Sequence, residues 1–192
     1  MGRKSTLPEA LRRELAEARF SSLYREHGRE IMGYALRRTA GPEDAADALA
    51  ETFLVAWRRL ADVPAGGEAR LWLYGTARRV LANQRRAEGR RTRLAEVLRE
   101  ALWQGPDTLS APDRDRAGLM RALAELDSAD RELLMLIGWE ELTPAEAGRV
   151  LEISPLATRT RLHRARRRLR SLLADQPTSE SATNEPEVEE AR

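Results

Sequence analysis

Between Arg159 and Arg170 the chain places seven arginines and no acid. Arginine carries a flat, permanently charged fork of N–H donors. It pairs bidentately with phosphate, and with the O6 and N7 edge of guanine. Arg159, Thr160, His163 and Arg164 therefore form a set of donors suited to reading base edges and gripping phosphates. A merely solvated helix face would mix both signs and gain i,i+4 ion pairs. The absence of acids favours a nucleic-acid partner over that bland reading.

The elements that must hold these donors are legible around them. Thr143-Pro144-Ala145-Glu146 opens a short helix: Thr can cap, Pro fits the first turn, and Glu can close a capping box. Ala147, Val150 and Leu151 share one face of it. Glu152-Ile153 makes a tight turn, and Ser154-Pro155 is a second cap-plus-proline opening. In the helix that follows, Thr158, Leu162, Ala165 and Leu169 make a narrow packing stripe, turned away from Arg159, Thr160, His163 and Arg164. Two capped helices with a tight turn, the second carrying arginine outward, make a helix-turn-helix over Leu142 to Leu173.

Composition narrows the rest. The chain has 192 residues, 42% of them hydrophobic but only 5% aromatic, so its cores are built mainly from Leu and Ala. The net charge of +2 hides an asymmetry. Residues 175–192 hold six acids against Arg192 alone, a balance of −5, which leaves +7 for the remainder. With no cysteine, disulfides, thiolate zinc sites and Cys nucleophiles are excluded. The two histidines, His27 and His163, lie far apart, and His27 follows the apolar spacing of its helix. Neither a metal site nor a cofactor is expected. No apolar run approaches the roughly 20 residues of a membrane span, and no signal peptide is legible, so a soluble, cytoplasmic protein with no membrane contact of its own is expected.

Along the chain the periodicity is helical throughout, with no strand pattern, and the expected fold class is all-α. A helix over about Pro8 to Arg38 keeps Phe20, Leu23, Tyr24, His27, Ile31, Tyr34 and Ala35 on one face until Gly41-Pro42 breaks it. A second, from about Glu43 to Leu60, is read with Ala46, Leu49, Ala50, Phe53, Trp57 and Leu60 inward, and with Asp44, Asp47, Ala48, Glu51 and Val55 outward or toward a partner. A loop rich in Pro and Gly precedes a third helix, which starts near Glu68 and carries Leu73, Ala77, Val80 and Leu81 on one side. The segment Gln104-Gly-Pro-Asp-Thr-Leu-Ser-Ala-Pro-Asp113 reads as a linker. Helices follow from about Asp115 and from a cap at Asp127 or Ser128. The chain thus divides into a partly helical extension over 1–19, a helical domain over 20–93, a flexible linker over 94–118, a second helical domain with the helix-turn-helix over 119–174, and a disordered acidic tail over 175–192.

Three segments resemble one family. Asp47-Ala-Leu-Ala-Glu-Thr-Phe-Leu-Val-Ala-Trp57 resembles region two of bacterial sigma factors, whose usual run is Asp-Leu-Val-Gln-Glu-Thr-Phe-Leu-x-Ala-Trp. Arg70-Leu-Trp-Leu-Tyr-Gly-Thr-Ala-Arg-Arg79 resembles the helix after it, and Leu142 to Arg170 resembles region four. With two domains and a short linker, the chain is similar over about Phe20 to Leu173 to the extracytoplasmic-function (ECF) group of the sigma-70 family. The resemblance implies a transcription initiation factor without catalytic activity, which docks on core RNA polymerase, reads −35 and −10 promoter elements and aids duplex opening. Core RNA polymerase and promoter DNA are the implied partners, and the family leaves room for an anti-sigma factor. Asp47, Ala50 and Glu51 match the polymerase-docking positions, with Ala50 in place of the usual Gln and Ala48 in place of a usual Leu. The loop Ala61, Asp62, Val63, Pro64, Ala65, Gly66, Gly67, Glu68, Ala69 matches the one that captures a flipped −10 base, with Arg78, Arg79 and Asn83 on the adjoining helix. Ser154, Arg159, Thr160, Arg161, His163 and Arg164 match the −35 positions. Thr158 stands where the family prefers Val, and Glu152 where it often has Gly.

The competing reading is a stand-alone helix-turn-helix regulator, with residues 20–93 as a dimerisation or sensory module. The Asp47 to Trp57 run and the Trp72-Leu73 helix argue against it. Catalysis is not expected: Asp44, Asp47 and Glu51 can stack carboxylates on one face, but no His lies near them.

Overall fold

The structure is a computed structural model that describes residues 8–99 and 114–175, with side chains over 8–87 and 118–175. The described residues form seven α-helices and no strand, as the periodicity predicts: α1 (Glu9–Leu36), α2 (Pro42–Arg58), α3 (Glu68–Arg99), α4 (Arg114–Ala124), α5 (Ser128–Gly138), α6 (Pro144–Leu151) and α7 (Pro155–Ala174), with one 3-10 turn over Leu60–Asp62. The helix α3 continues to Arg99 and so enters the segment expected as linker. The Pro- and Gly-rich stretch from 104 to 113 and the acidic tail beyond 175 lie outside the described residues. Chain contacts group α1–α3 with α6 in one compact unit, and α4, α5 and α7 in the other.

In the first unit, α1, α2 and α3 pack against one another in every pairing. Leu23, Ile31, Tyr34 and Ala35 of α1 are buried, as are Leu73, Tyr74, Ala77, Val80 and Leu81 of α3, and the Tyr34 and Tyr74 rings lie 5.3 Å apart. The face of α2 differs from the sequence expectation. Its buried stripe is Ala45, Ala48, Thr52, Phe53 and Ala56, while Ala46, Ala50 and Trp57 are exposed. Ala48, read as outward, is thus a core residue. The reason is that small side chains let helices approach closely. The Thr52 hydroxyl accompanies them without penalty because it donates to the Ala48 carbonyl at 2.6 Å. The larger rings collect at the rim of this contact, where Phe20 meets Phe53 at 6.1 Å and Trp57 at 5.2 Å, and Tyr24 meets Phe53 at 4.9 Å, all edge to face. The expected face runs through Ala46, Ala50, Phe53 and Trp57, and only Phe53 of these is buried. Close approach of the helices turns the real one toward alanine.

In the second unit, Leu123, Leu126 and Leu172 form a small core with Leu119, Leu134 and Leu169 packed around it. Arg131 fastens the α4–α5 corner by donating to the carbonyls of Leu123 at 2.7 Å, Ala124 at 2.6 Å and Leu126 at 3.1 Å. The Leu123 and Ala124 carbonyls are ones that the end of α4 leaves without intrahelical partners, and Leu126 lies in the connection to α5. Asp127 caps α5 by accepting from the Ala129 N–H at 2.9 Å. This corner is the platform on which α7 lies, since α4 and α5 both pack against it.

Candidate nucleic-acid interface

The helix α7 opens as the sequence predicts. Ser154 adopts an extended backbone, its hydroxyl accepts from the Ala157 N–H at 3.2 Å, and Pro155 takes the first turn. The Ser154 carbonyl accepts twice, from the Thr158 N–H and from the Thr158 hydroxyl, each at 2.9 Å. Thr158 can therefore be buried where an apolar residue would sit, because its only polar atom is satisfied. Thr158, Leu162, Ala165 and Leu172 are buried, and Arg159, Thr160, His163 and Arg164 are exposed on the far side. The helix thus separates a packing stripe from a face of donors. Arg161 differs from the other expected readers: it is half-buried at the flank and pairs with Asp130 of α5 at 3.5 Å.

Leu156 is the residue that sequence reasoning missed. It is 67% exposed and falls three and four residues before Arg159 and Thr160, so it shares their face. A large apolar side chain held in water beside exposed arginine and hydroxyl donors suits contact with a thymine methyl, were the face to enter a major groove. The signal available in the sequence is its spacing of three and four residues from Arg159 and Thr160.

The helix α6 ends at Leu151, and the following Glu152 has φ +58°, in the left-handed region where glycine is the ordinary occupant. This is the position where the resemblance expects Gly. The turn is closed by the Glu152 and Ile153 N–H groups, which donate to the Arg149 and Gly148 carbonyls at 3.1 and 3.0 Å.

The loop between the 3-10 turn and α3 presents most of its expected residues outward. Ala61, Asp62, Pro64, Ala65, Gly66, Gly67 and Glu68 are exposed, and Gly66 has φ +63°. Val63 and Ala69 are instead buried, at 3% and 5% exposure. They pin the two ends of the loop to the unit rather than facing a strand. Arg19 of α1 holds the loop as well, donating to the Val63 carbonyl, and Arg59 pairs with Asp62 at 2.9 Å. Arg19 lies in what was read as an extension, and only the fold brings it to the loop. On α3, Arg79 and Asn83 are exposed and Arg78 is half-buried. Arg79 and Asn83 line one groove of ≈ 420 Å³ with Glu51, Val55, Arg59 and Gln84. Within the same unit Arg79 pairs with Glu152, and Arg149 donates to both oxygens of Glu68 at 2.7 and 2.8 Å. Further along the seam Arg70 donates to Glu30 at 3.1 Å and stands over the Tyr74 ring. Burial works to lower its pKa, but Tyr74 and Glu30 outweigh that and leave it above its ordinary value.

On α2, Asp47, Ala50 and Glu51 are all exposed and lie on one face. Leu54, 40% exposed, continues that face by one turn. Acids around an exposed leucine are an arrangement for a basic, partly apolar protein surface. Among the described residues no group of His, Cys, Asp and Glu is arranged to hold a metal ion, and no helix is long and apolar enough to cross a membrane.

Comparison with known proteins matches these parts in order. Residues 23–91 match the family Sigma-70 region 2, and residues 116–169 match Sigma-70, region 4. The ECF RNA polymerase sigma factor SigL of Mycobacterium tuberculosis is 31% identical over 160 residues, which cover 80% of this chain and 88% of the relative. The solved structure of the sigma factor RpoE from Bartonella quintana, in complex with the anti-sigma factor NepR, shares the fold with a TM-score of 0.63 at 20% identity, over 82% of this chain and 98% of that one. CnrH, solved in complex with the cytosolic domain of CnrY, gives a TM-score of 0.58 at 25% identity, over 85% and 98% of the two chains.

Proposed function

Because the chain belongs to the ECF group of RNA polymerase sigma factors, we propose that it docks on core RNA polymerase through Asp47, Ala50 and Glu51 and directs it to promoters by reading two DNA elements. It is a transcription initiation factor; the bond chemistry belongs to the polymerase. Ser154, Arg159, Thr160, His163 and Arg164 read the −35 element, with Leu156 beside them and Arg161 braced by Asp130 at the edge. The exposed loop residues Ala61, Asp62, Pro64, Ala65, Gly66, Gly67 and Glu68, with Arg78, Arg79 and Asn83, hold the opened −10 strand. Val63 and Ala69 anchor that loop. Capturing a base from the non-template strand costs unstacking energy, which is smaller once the duplex has begun to open. An anti-sigma partner is part of the same proposal, supported by CnrH, which is held by the cytosolic domain of CnrY.

The observation that carries this reading is the division of α7 into a buried stripe and an exposed face of donors opened by a capped first turn. The test is transcription by purified core polymerase with and without the full chain, followed by sequencing of RNA 5′ ends. New start sites sharing one pair of upstream motifs are expected. DNA binding by the chain alone, with no complex with core polymerase and no new start sites, would support the stand-alone regulator instead.

A further inference from the structure

The helix α7 has a second charged surface beside the reading face. Arg161, Arg164, Arg167, Arg168 and Ser171 form one wall of a groove of ≈ 640 Å³, and Asp127 and Asp130 at the start of α5 form the other. The two acids are already engaged: Asp130 pairs with Arg161 at 3.5 Å and Asp127 caps the Ala129 N–H at 2.9 Å. No acid among the described residues lies within ion-pair distance of Arg164, Arg167 or Arg168. All three are exposed, and Arg167 and Arg168 lie three and four residues after Arg164, so each stands as a neighbour of Arg164 about 5–6 Å away. Like charges at that spacing repel, and an anionic chain with a similar repeat relieves the repulsion.

The sequence supplies such a chain from the same helix. Glu185, Glu187, Glu189 and Glu190 follow α7 after Asp175. In an extended segment, alternate residues share one side at about 6.5–7 Å, so two successive acids of such a run can meet Arg164 and one of its neighbours, with the third acid at the border of the cluster. The lengths agree as well. Arg164 lies ten residues before Ala174, about 15 Å along the helix axis, and ten residues of unconstrained chain have a root-mean-square span of about 16–19 Å. The acids thus reach the groove without stretching the connection, and the tether holds them there at about millimolar effective concentration.

We propose that the segment 180–190 folds back into this groove, with Glu185, Glu187 and Glu189 against Arg164, Arg167 and Arg168. Seated there, it shields these arginines from DNA phosphates while the protein is free of polymerase. The seat itself is independent of α7 reading the −35 element. Only the consequence for DNA rests on that reading, and the two are tested separately.

The chain has no cysteine, so Ala191→Cys provides a single thiol for a nitroxide label on the full-length protein. At low salt the label should broaden the amide resonances of residues 161–171 more than those of α2. The broadening should vanish in 0.5 M salt, and also in the Glu185→Gln, Glu187→Gln, Glu189→Gln variant, which leaves the folded units untouched. Absence of broadening at low salt, or its persistence in the glutamine variant, overturns the seat. Binding of a random-sequence duplex by the full chain and by a chain ending at Asp175 tests the consequence. The truncated chain should bind about three- to tenfold more tightly at low salt, with the ratio approaching one as salt rises. Equal affinity at every salt concentration overturns the shielding and leaves the segment a solubilising one. If neither chain binds duplex while the label still reports contact, it is the −35 reading that fails.

Discussion

Arg131 offers the sharpest test of how the second unit holds α7. Its guanidinium donates to three carbonyls at the α4–α5 corner, at 2.7, 2.6 and 3.1 Å. Hydrogen bonds to a charged group contribute about 1.5–3 kcal/mol each in favourable cases, but three full bonds cannot be summed here. The Leu123 carbonyl keeps the Leu126 N–H at 3.2 Å when Arg131 is removed, and the bond to Ala124 is exposed to water. The loss falls chiefly on the Leu126 carbonyl, with a charge–dipole contribution of about 0.3–1 kcal/mol at the end of α4. Arg131→Met should therefore destabilise the second unit by about 2–3 kcal/mol. Arg131→Lys keeps the charge but lacks the planar fork, so it should lose about half as much. In a unit of this size the methionine variant should melt about 10 °C or more below the parent. Thermal unfolding of the full chain is followed by fluorine resonance with fluorotryptophan. Trp139, which caps α5, reports the second unit, and Trp57 and Trp72 report the first. Only the Trp139 transition should move. A methionine variant within about 0.5 kcal/mol of the parent, or a lysine variant with full stability, would refute the role assigned to the fork.

Charge reversal by Asp47→Arg with Glu51→Arg should abolish assembly with core polymerase in gel filtration while helicity by circular dichroism stays unchanged, since both side chains are exposed; wild-type assembly would sink the docking face. Arg159→Ala should lose about 1–3 kcal/mol of discrimination at one or two −35 positions, whereas Arg167→Ala should weaken all sequences evenly and reduce the salt slope by about one. A full matrix of −35 substitutions giving one profile for both variants contradicts that division. Leu156→Gln should relax preference for thymine at a single −35 position with no change in melting, because the side chain packs against little; unchanged preference removes Leu156 from the reading face.

Much of this was legible in residue order because it is local. The Ser154-Pro155 cap, the Asp127 cap and the stripe Thr158, Leu162, Ala165 and Leu169 depend on spacing within a turn or two, and they stand where the spacing predicts. What escaped is set by other helices. Which face of α2 is buried is decided by how closely α1 and α3 approach, and alanines that carry little weight in a hydrophobic pattern win that choice over Trp57. The anchor from Arg19 to the Val63 carbonyl spans a sequence separation of 44 residues, and no periodicity encodes it. Val63 and Ala69 lie within the loop that the resemblance assigns to the −10 element, yet a loop that must keep its shape needs some side chains turned inward, and these two are buried. At Glu152 the resemblance was informative: a position said to favour Gly is left-handed here, a conformation that costs a side-chain-bearing residue about 1–2 kcal/mol.

The seven arginines of α7 show why charge alone does not describe an interface. A count treats them as one basic patch, but the helix divides them by angle. Arg159 is exposed, to one side of the buried Thr158 and Leu162 stripe, where a base edge can reach it. Arg161 turns toward α5 and is neutralised by Asp130, so it braces the helix against its platform. Arg164, Arg167 and Arg168 lie between these two positions and border the groove. Among the described residues no acid pairs with them, and any mobile polyanion will compete for them. Arg164 belongs to both surfaces, since it is also one of the proposed −35 readers. An anion seated in the groove therefore need not cover the whole reading face to affect recognition. Engaging Arg164 alone couples the two surfaces, and a promoter displaces the anion only where its contacts to the remaining readers outweigh that hold.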